Sequence, residues 1–149
     1  LVGFVRGVST IRTLDAGASH VTAYEASTEM IKLGEKTIAV NRPFDCNVIV
    51  RQAIVGEAVE IYGNSCDAEV KDPAELSERD VLILDCEGAE KSILDALGTY
   101  PNTIICETHP ERGVPNKDVI TILEERYSIK LFEYEPGSDD KVVIYAQKK

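Results

Sequence analysis

The chain has 149 residues, 44% of them hydrophobic, and a formal net charge of −10. The length suits one domain with a sizeable core. The acidity excludes a nucleic-acid binder held by phosphate contacts and a binder of anionic membranes, because both need a basic face. No apolar run approaches the roughly 20 residues of a membrane span, and no stretch reads as a secretory leader.

Four cysteines, Cys46, Cys66, Cys86 and Cys106, lie too far apart for a CxxC metal knuckle. They read as reduced thiols, and the expected compartment is the cytoplasm.

Helix-period and strand-period segments alternate along the chain. Leu1-Val2 reads as the tail of a strand, and Gly3 to Gly7 as a glycine-bracketed turn. Val8 to Ala16 reads as a helix closed by Gly17. His20 to Tyr24 is a strand ending at Glu25. Ser27 is the expected N-cap of a helix through Val40, with Met30, Leu33, Thr37 and Val40 on one face. Asn47 to Gln52 is a strand leading into Ala53-Ile54-Val55-Gly56, and Ala58 to Tyr62 is a second β-like run.

Gly63 to Lys71 reads as polar loop, and Asp72-Pro73 starts a short helical turn with Pro at its first position. Val81 to Leu84 is an unbroken apolar run, read as a strand buried on both faces. A helix follows from Gly88 to Leu97, then a buried strand from Ile104 to Glu107. Pro110 to Pro115 reads as loop, with Asn116 capping a helix through Tyr127. Lys130 to Tyr134 and Lys141 to Ala146 are strands too close in sequence for a parallel crossover, so an antiparallel hairpin is expected.

The alternation implies an α/β fold, mostly parallel, with one antiparallel strand from the C-terminal hairpin. One domain without a linker spans 1–149. In such sheets ligands bind outside the carboxyl ends of the strands. Four sets of candidate residues fall there.

Gly3-Phe4-Val5-Arg6-Gly7 can bring backbone close to a ligand, with N–H groups at the following helix start suited to a negative group. Glu25, followed by Ala26, lies 18 residues beyond Gly7, the spacing of an acid that takes two ribose hydroxyls. Alternatively, these residues form a plain strand-to-helix turn and a surface acid. Gln52 and Ala53 sit where an adenine edge and face could be met, or are ordinary rim and core. Leu14-Asp15-Ala16-Gly17 imitates a nucleotide turn, but too few residues separate Asp15 from Glu25 for a parallel crossover. Asp15 is therefore helix surface.

Asp80 to Glu90 carries the densest chemistry. Asp85 and Glu87 end a buried strand, where clustered carboxylates cost energy and need a reason. They face the cofactor or the substrate, or hold a divalent cation. Glu90 reads as a first-turn acid complementing the helix dipole. Glu107 and His109 end the neighbouring strand and offer general-base catalysis or metal binding.

With those residues in view, the chain resembles the FkbM-type methyltransferases. The resemblance rests on Val81-Leu82-Ile83-Leu84-Asp85-Cys86-Glu87-Gly88-Ala89-Glu90 and on Ile105-Cys106-Glu107-Thr108-His109-Pro110. Val21-Thr22-Ala23-Tyr24-Glu25 and Ala53-Ile54-Val55-Gly56 add support. It implies the Rossmann-like class I methyltransferase fold, S-adenosylmethionine as cofactor, and a hydroxyl on a sugar or small molecule as acceptor. It places Gly3, Phe4 and Gly7 on the methionine part of the cofactor, Glu25 and Ala26 at the ribose, and Gln52 and Ala53 at adenine. Asp85 and Glu87 then face the transfer site; beside them His109 is the candidate base with Glu107 orienting it, or Asp85, Glu87 and His109 hold a metal that lowers the pKa of the hydroxyl. The acid that opens the glycine turn in that family corresponds here to Leu1, and the first strand is largely missing, so an N-terminally truncated domain is expected. The rivals are a nicotinamide-binding Rossmann oxidoreductase and a domain that binds the cofactor without catalysis.

Overall fold

The computed structural model describes residues 1–41, 46–56, 68–76, 79–98, 100–138 and 140–149. Cys66 and the expected run Ala58 to Tyr62 lie outside them. The elements group into two compact units.

The first unit holds helix α1 (Val8–Asp15), strand β1 (His20–Glu25), helix α2 (Thr28–Asn41) and strand β2 (Asn47–Val55) as far as Ile54. β1 and β2 pair in parallel from His20↔Asn47 to Glu25↔Gln52. The strand order is β1-β2-β3, where β3 is Glu69–Lys71, so the end of the expected polar loop is a short edge strand. Val2 makes an isolated parallel bridge to Tyr24, so Leu1-Val2 lies alongside β1 without forming a strand of its own. Phe4, Leu14, Val21, Ala23, Tyr24 and Ile38 are buried here.

Two details of this unit differ from expectation. Ser27 does cap α2, its Oγ accepting the Met30 N–H at 3.4 Å. The helix, however, buries Gly34 and Ile38, while Val40 is 83% exposed. Gly34 wins the inner face because the Phe4 ring packs against it, where a Cβ would lie 2.2 Å from the ring. β2 also runs three residues past Gln52, to Val55.

The second unit holds strands β4 (Val81–Leu84), β5 (Thr103–Glu107), β6 (Tyr127–Tyr134) and β7 (Val142–Lys148), with helices α3 (Glu90–Ala96) and α4 (Asn116–Arg126). A 3-10 turn, Pro73–Leu76, precedes β4, its Ala74 N–H capped by Asp72 Oδ1 at 2.8 Å. The sheet order is β4-β5-β7-β6. β4 and β5 are parallel, and β7 runs antiparallel between β5 and β6. The predicted hairpin is therefore present, and its second strand is the reversed one. Such a strand is foreign to the typically all-parallel dinucleotide-binding sheet. Leu82, Leu84, Ile93, Leu94, Ile104, Val119, Leu123, Tyr127 and Ile144 form the core.

Here too some expectations are corrected. β4 is fully buried on one face only: Leu82 and Leu84 are inside, while Val81 is 43% exposed. α3 starts at Glu90 and not at Gly88, because Glu87 (φ 54) and Gly88 (φ 103) are both left-handed. Asn116 occupies the first turn of α4 and does not cap it; Pro115 precedes the helix, and Asn116 Nδ2 donates to the Asp140 carbonyl at 2.7 Å. Pro110–Arg112, expected as loop, forms a 3-10 turn.

Candidate active site

In the first unit the glycine turn is built by three left-handed residues: Gly3 (φ 91), Val5 (φ 45) and Gly7 (φ 77). Gly7 is also closely packed, since a Cβ there would lie 2.9 Å from the Gly34 carbonyl oxygen. The turn is anchored to β1, with the Gly3 and Phe4 N–H groups donating to the Tyr24 carbonyl at 3.0 and 3.2 Å. Phe4 is 1% exposed and belongs to the core.

Glu25 ends β1 and ties the turn together. Its Oε2 accepts the Val5 N–H at 2.8 Å and its Oε1 the Ser27 N–H at 2.9 Å. An ionised carboxylate has about four acceptor positions, so each oxygen retains capacity for a hydroxyl donor. That donor chemistry fits a ribose diol, and the half-buried carboxylate is held in a fixed orientation. Gln52 pairs with Glu25 across β1 and β2, but its Nε2 donates to the Ala26 carbonyl at 3.3 Å and to Thr28 Oγ1 at 2.9 Å. The glutamine thus staples β2 to the start of α2. Ala53 and Ala26 are buried.

The second unit gathers the acids and the histidine. β4 and β5 pair in register to Leu84↔Cys106, so one step further Asp85 and Glu107 leave the same edge side by side. Thr108 fixes the chain beyond β5, its N–H donating to the Val142 carbonyl at 2.9 Å and its Oγ1 accepting the Val142 N–H at 3.1 Å. His109, 1% exposed, then turns inward.

Its partner is Glu90. His109 Nδ1 lies 2.7 Å from Glu90 Oε1, and Glu90 is wholly buried. The same oxygen accepts the Cys86 and Gly88 N–H groups, both at 3.2 Å. Burial works against the Glu90 charge, but the His109 and backbone hydrogen bonds outweigh it and hold the pKa below the usual value. Glu90 is therefore an ionised acceptor, and the Nδ1 proton belongs to His109. Burial likewise disfavours the imidazolium, yet the Glu90 hydrogen bond prevails and the His109 pKa is raised.

The other ring nitrogen, Nε2, is 3.6 Å from Asp85 Oδ1 and 3.8 Å from Glu107 Oε1. Burial raises the pKa of Asp85, against the pull of His109. Burial, reinforced by the Asp85 charge, pushes Glu107 up to about 7. Glu87 points to Arg112 instead, with Oε2 3.4 Å from Nη2. Gly88 lets that turn pack close, since a Cβ there would meet the Arg112 Cβ at 2.7 Å.

The structure thus brings Asp85, Glu107 and His109 together, ties Glu87 to Arg112, and adds Glu90, which the sequence reading assigned to the helix dipole. The orienting partner of His109 is Glu90. Nothing in the local sequence marks this role, because Glu90 accepts the Cys86 and Gly88 N–H groups ahead of the helix and meets a histidine 19 residues away. Cys86 and Cys106 are thiols, and burial pushes both well above the usual thiol range.

No protein-family model matches this chain, and neither does any curated protein. Solved structures do. A ribosomal protein L11 methylase from Lactobacillus delbrueckii subsp. bulgaricus is 16% identical at a TM-score of 0.62, over 99% of this chain and 68% of that one. Magnesium protoporphyrin IX methyltransferase from Synechocystis PCC 6803, crystallised with S-adenosylhomocysteine, is 14% identical at 0.65, over 99% and 72%. A methyltransferase from Escherichia coli, described as putative, is 13% identical at 0.57, over 98% and 73%. At these identities the likeness shows the fold, which is the Rossmann-like fold of the class I methyltransferases. Among the described residues no helix is long and apolar enough to cross a membrane.

Proposed function

We propose that the chain is an S-adenosylmethionine-dependent methyltransferase of the FkbM type, transferring a methyl group to a hydroxyl oxygen of a sugar or other small molecule. The observation that carries this reading is the His109 imidazole, fixed through Nδ1 by Glu90 at 2.7 Å with Nε2 turned toward the strand-end acids Asp85 and Glu107. That is the construction of a general base: a carboxylate sets the tautomer and stabilises the imidazolium that forms. The shared fold and the Glu25-anchored turn support the cofactor.

The cofactor, when bound, supplies a methyl group already activated by its sulfonium. Glu25 would accept the ribose hydroxyls, and the backbone of Gly3 to Gly7 would line the methionine part. His109 Nε2 would take the proton of the acceptor hydroxyl as that oxygen is methylated. Asp85 and Glu107 receive the acceptor's remaining hydroxyls.

Thermal unfolding with S-adenosylmethionine, S-adenosylhomocysteine and NAD tests the reading. Stabilisation by the first two is expected, because a ligand that binds only the folded state raises its stability. Stabilisation by NAD alone overturns it in favour of an oxidoreductase.

A further inference from the structure

We propose that Asp85, Glu107 and His109 together form a binding site for a divalent transition-metal cation, with Mn²⁺ as its probe. One ligand atom from each residue lies within 4.8 Å of the others. The Nε2 separations of 3.6 and 3.8 Å are too long for hydrogen bonds. They are close to the separation of donors that share one ion, because ligands about 2.1 Å from a metal stand roughly 3–3.5 Å apart.

The groups around His109 differ in how their charge is met. Glu87 faces Arg112 at 3.4 Å, and Glu111 faces Lys141 Nζ at 3.0 Å. Among the described residues, Asp85 and Glu107 have only the imidazole within ion-pair distance. Of the acids around His109, Asp85, Glu90 and Glu107 are paired with the imidazole and not with a Lys or Arg side chain, and two of these three share Nε2. Behind them Glu90 is wholly buried, and its Oε2 has no hydrogen-bond partner. Carboxyl groups thus stand at both ring nitrogens of a buried imidazole, Glu90 at Nδ1 and the Asp85–Glu107 pair at Nε2, where a cation would be met by two oxygens and one nitrogen.

The Glu90–His109 contact is the second line of support. A metal-binding histidine ordinarily donates its other ring N–H to a carboxylate, which fixes the ring and makes the free nitrogen a better donor. Here Nδ1 is so held and Nε2 is the nitrogen left facing the acids. One imidazole with two carboxylates suits Mn²⁺, Fe²⁺ or Zn²⁺ better than Mg²⁺ or Ca²⁺, which favour oxygen alone.

This site deepens the methyl-transfer reading and rests on it for its role, although cation binding is measurable without turnover. A cation held by Nε2, Asp85 and Glu107 would replace the free imidazole as the group that activates the acceptor hydroxyl, leaving the cofactor side of the reading unchanged. It would supply Lewis acidity that lowers the pKa of an acceptor hydroxyl, the proton passing to water.

The test is Mn²⁺ titration of chelator-stripped protein, followed by loss of the free-ion signal in electron paramagnetic resonance and by calorimetry. One equivalent should bind, with Mg²⁺ competing poorly. Asp85→Asn and Glu107→Gln should each weaken binding at least about tenfold, with circular dichroism confirming that both variants fold. Glu111→Gln should leave it unchanged. Lack of Mn²⁺ binding by the folded wild-type protein overturns the site, as does loss on Glu111→Gln with Glu107→Gln unaffected. Stabilisation by S-adenosylmethionine without Mn²⁺ binding overturns the cation site and spares the methyltransferase reading. Mn²⁺ binding without cofactor stabilisation does the reverse.

Discussion

Glu90 Oε1 and His109 Nδ1 stand 2.7 Å apart with both side chains sealed from solvent, joining the first turn of α3 to the segment beyond β5. The contact sets the histidine tautomer, orients Nε2 toward Asp85 and Glu107, and closes the turn through the Cys86 and Gly88 N–H groups. One carboxylate therefore serves the local fold and the chemistry.

Glu90→Gln tests that dual role. The neutral amide keeps the shape but loses the charge, so the variant should be destabilised by about 1.5–3 kcal/mol, the range for hydrogen bonds to a charged group. Chemical denaturation checks this. In the same variant the His109 titration, followed by NMR, should move down in pH, since the Glu90 hydrogen bond is what raises it. An unmoved titration with lowered stability assigns Glu90 to the turn alone.

The pair also defines a pH window, best measured with chelator present. The raised His109 pKa contributes stability that is complete below its ordinary value of 6.5 and fades as pH climbs through the folded-state value. The lowered Glu90 pKa contributes stability that is complete above 4.5 and fades as pH falls through the folded-state value. The joint contribution should be greatest between about 4.5 and 6.5, and Glu90→Gln should lose most relative to wild type in that interval.

Glu107 works in the opposite direction. Its pKa is raised from 4.5 to about 7, so the folded chain holds a proton that the unfolded chain has released. Stability from this group should therefore decline as pH rises from 4.5 to about 7. Glu107→Gln should flatten that decline, as read from denaturation midpoints across the range. Asp85, also raised, has the same sign.

Gly34 gives a packing prediction in the first unit. An alanine inside a helix normally gains up to about 1 kcal/mol over glycine. Here the new methyl group meets the Phe4 ring at 2.2 Å, and overpacking of this kind costs about 1–3 kcal/mol. Gly34→Ala should be net destabilising in thermal unfolding, and Phe4→Leu in the same chain should recover part of the loss.

Glu25→Ala removes the acceptor for the Val5 and Ser27 N–H groups. The glycine turn should loosen, and the stabilisation by S-adenosylmethionine should largely disappear. Calorimetric affinity for the cofactor equal to wild type assigns Glu25 to the turn and removes it from the ribose.

The sequence alone determined the alternation of elements. Apolar runs of four or five residues, Pro73 at the head of a turn, Ser27 before a helix and the short connection that forces the last two strands into an antiparallel hairpin are local signals, and each matches the structure in kind. It also placed Asp85, Glu107 and His109 at strand ends, because the end of an apolar run is visible in one dimension. It could not say which face of α2 turns inward, since Gly34 is chosen by the Phe4 ring, thirty residues away. Nor could it separate the acids from one another. Glu87 and Glu90 lie three residues apart and look alike, yet two left-handed residues send one to Arg112 and bury the other against His109. Backbone dihedrals and long-range pairing, which no residue pattern encodes locally, decided which carboxylate holds the histidine and which two it faces.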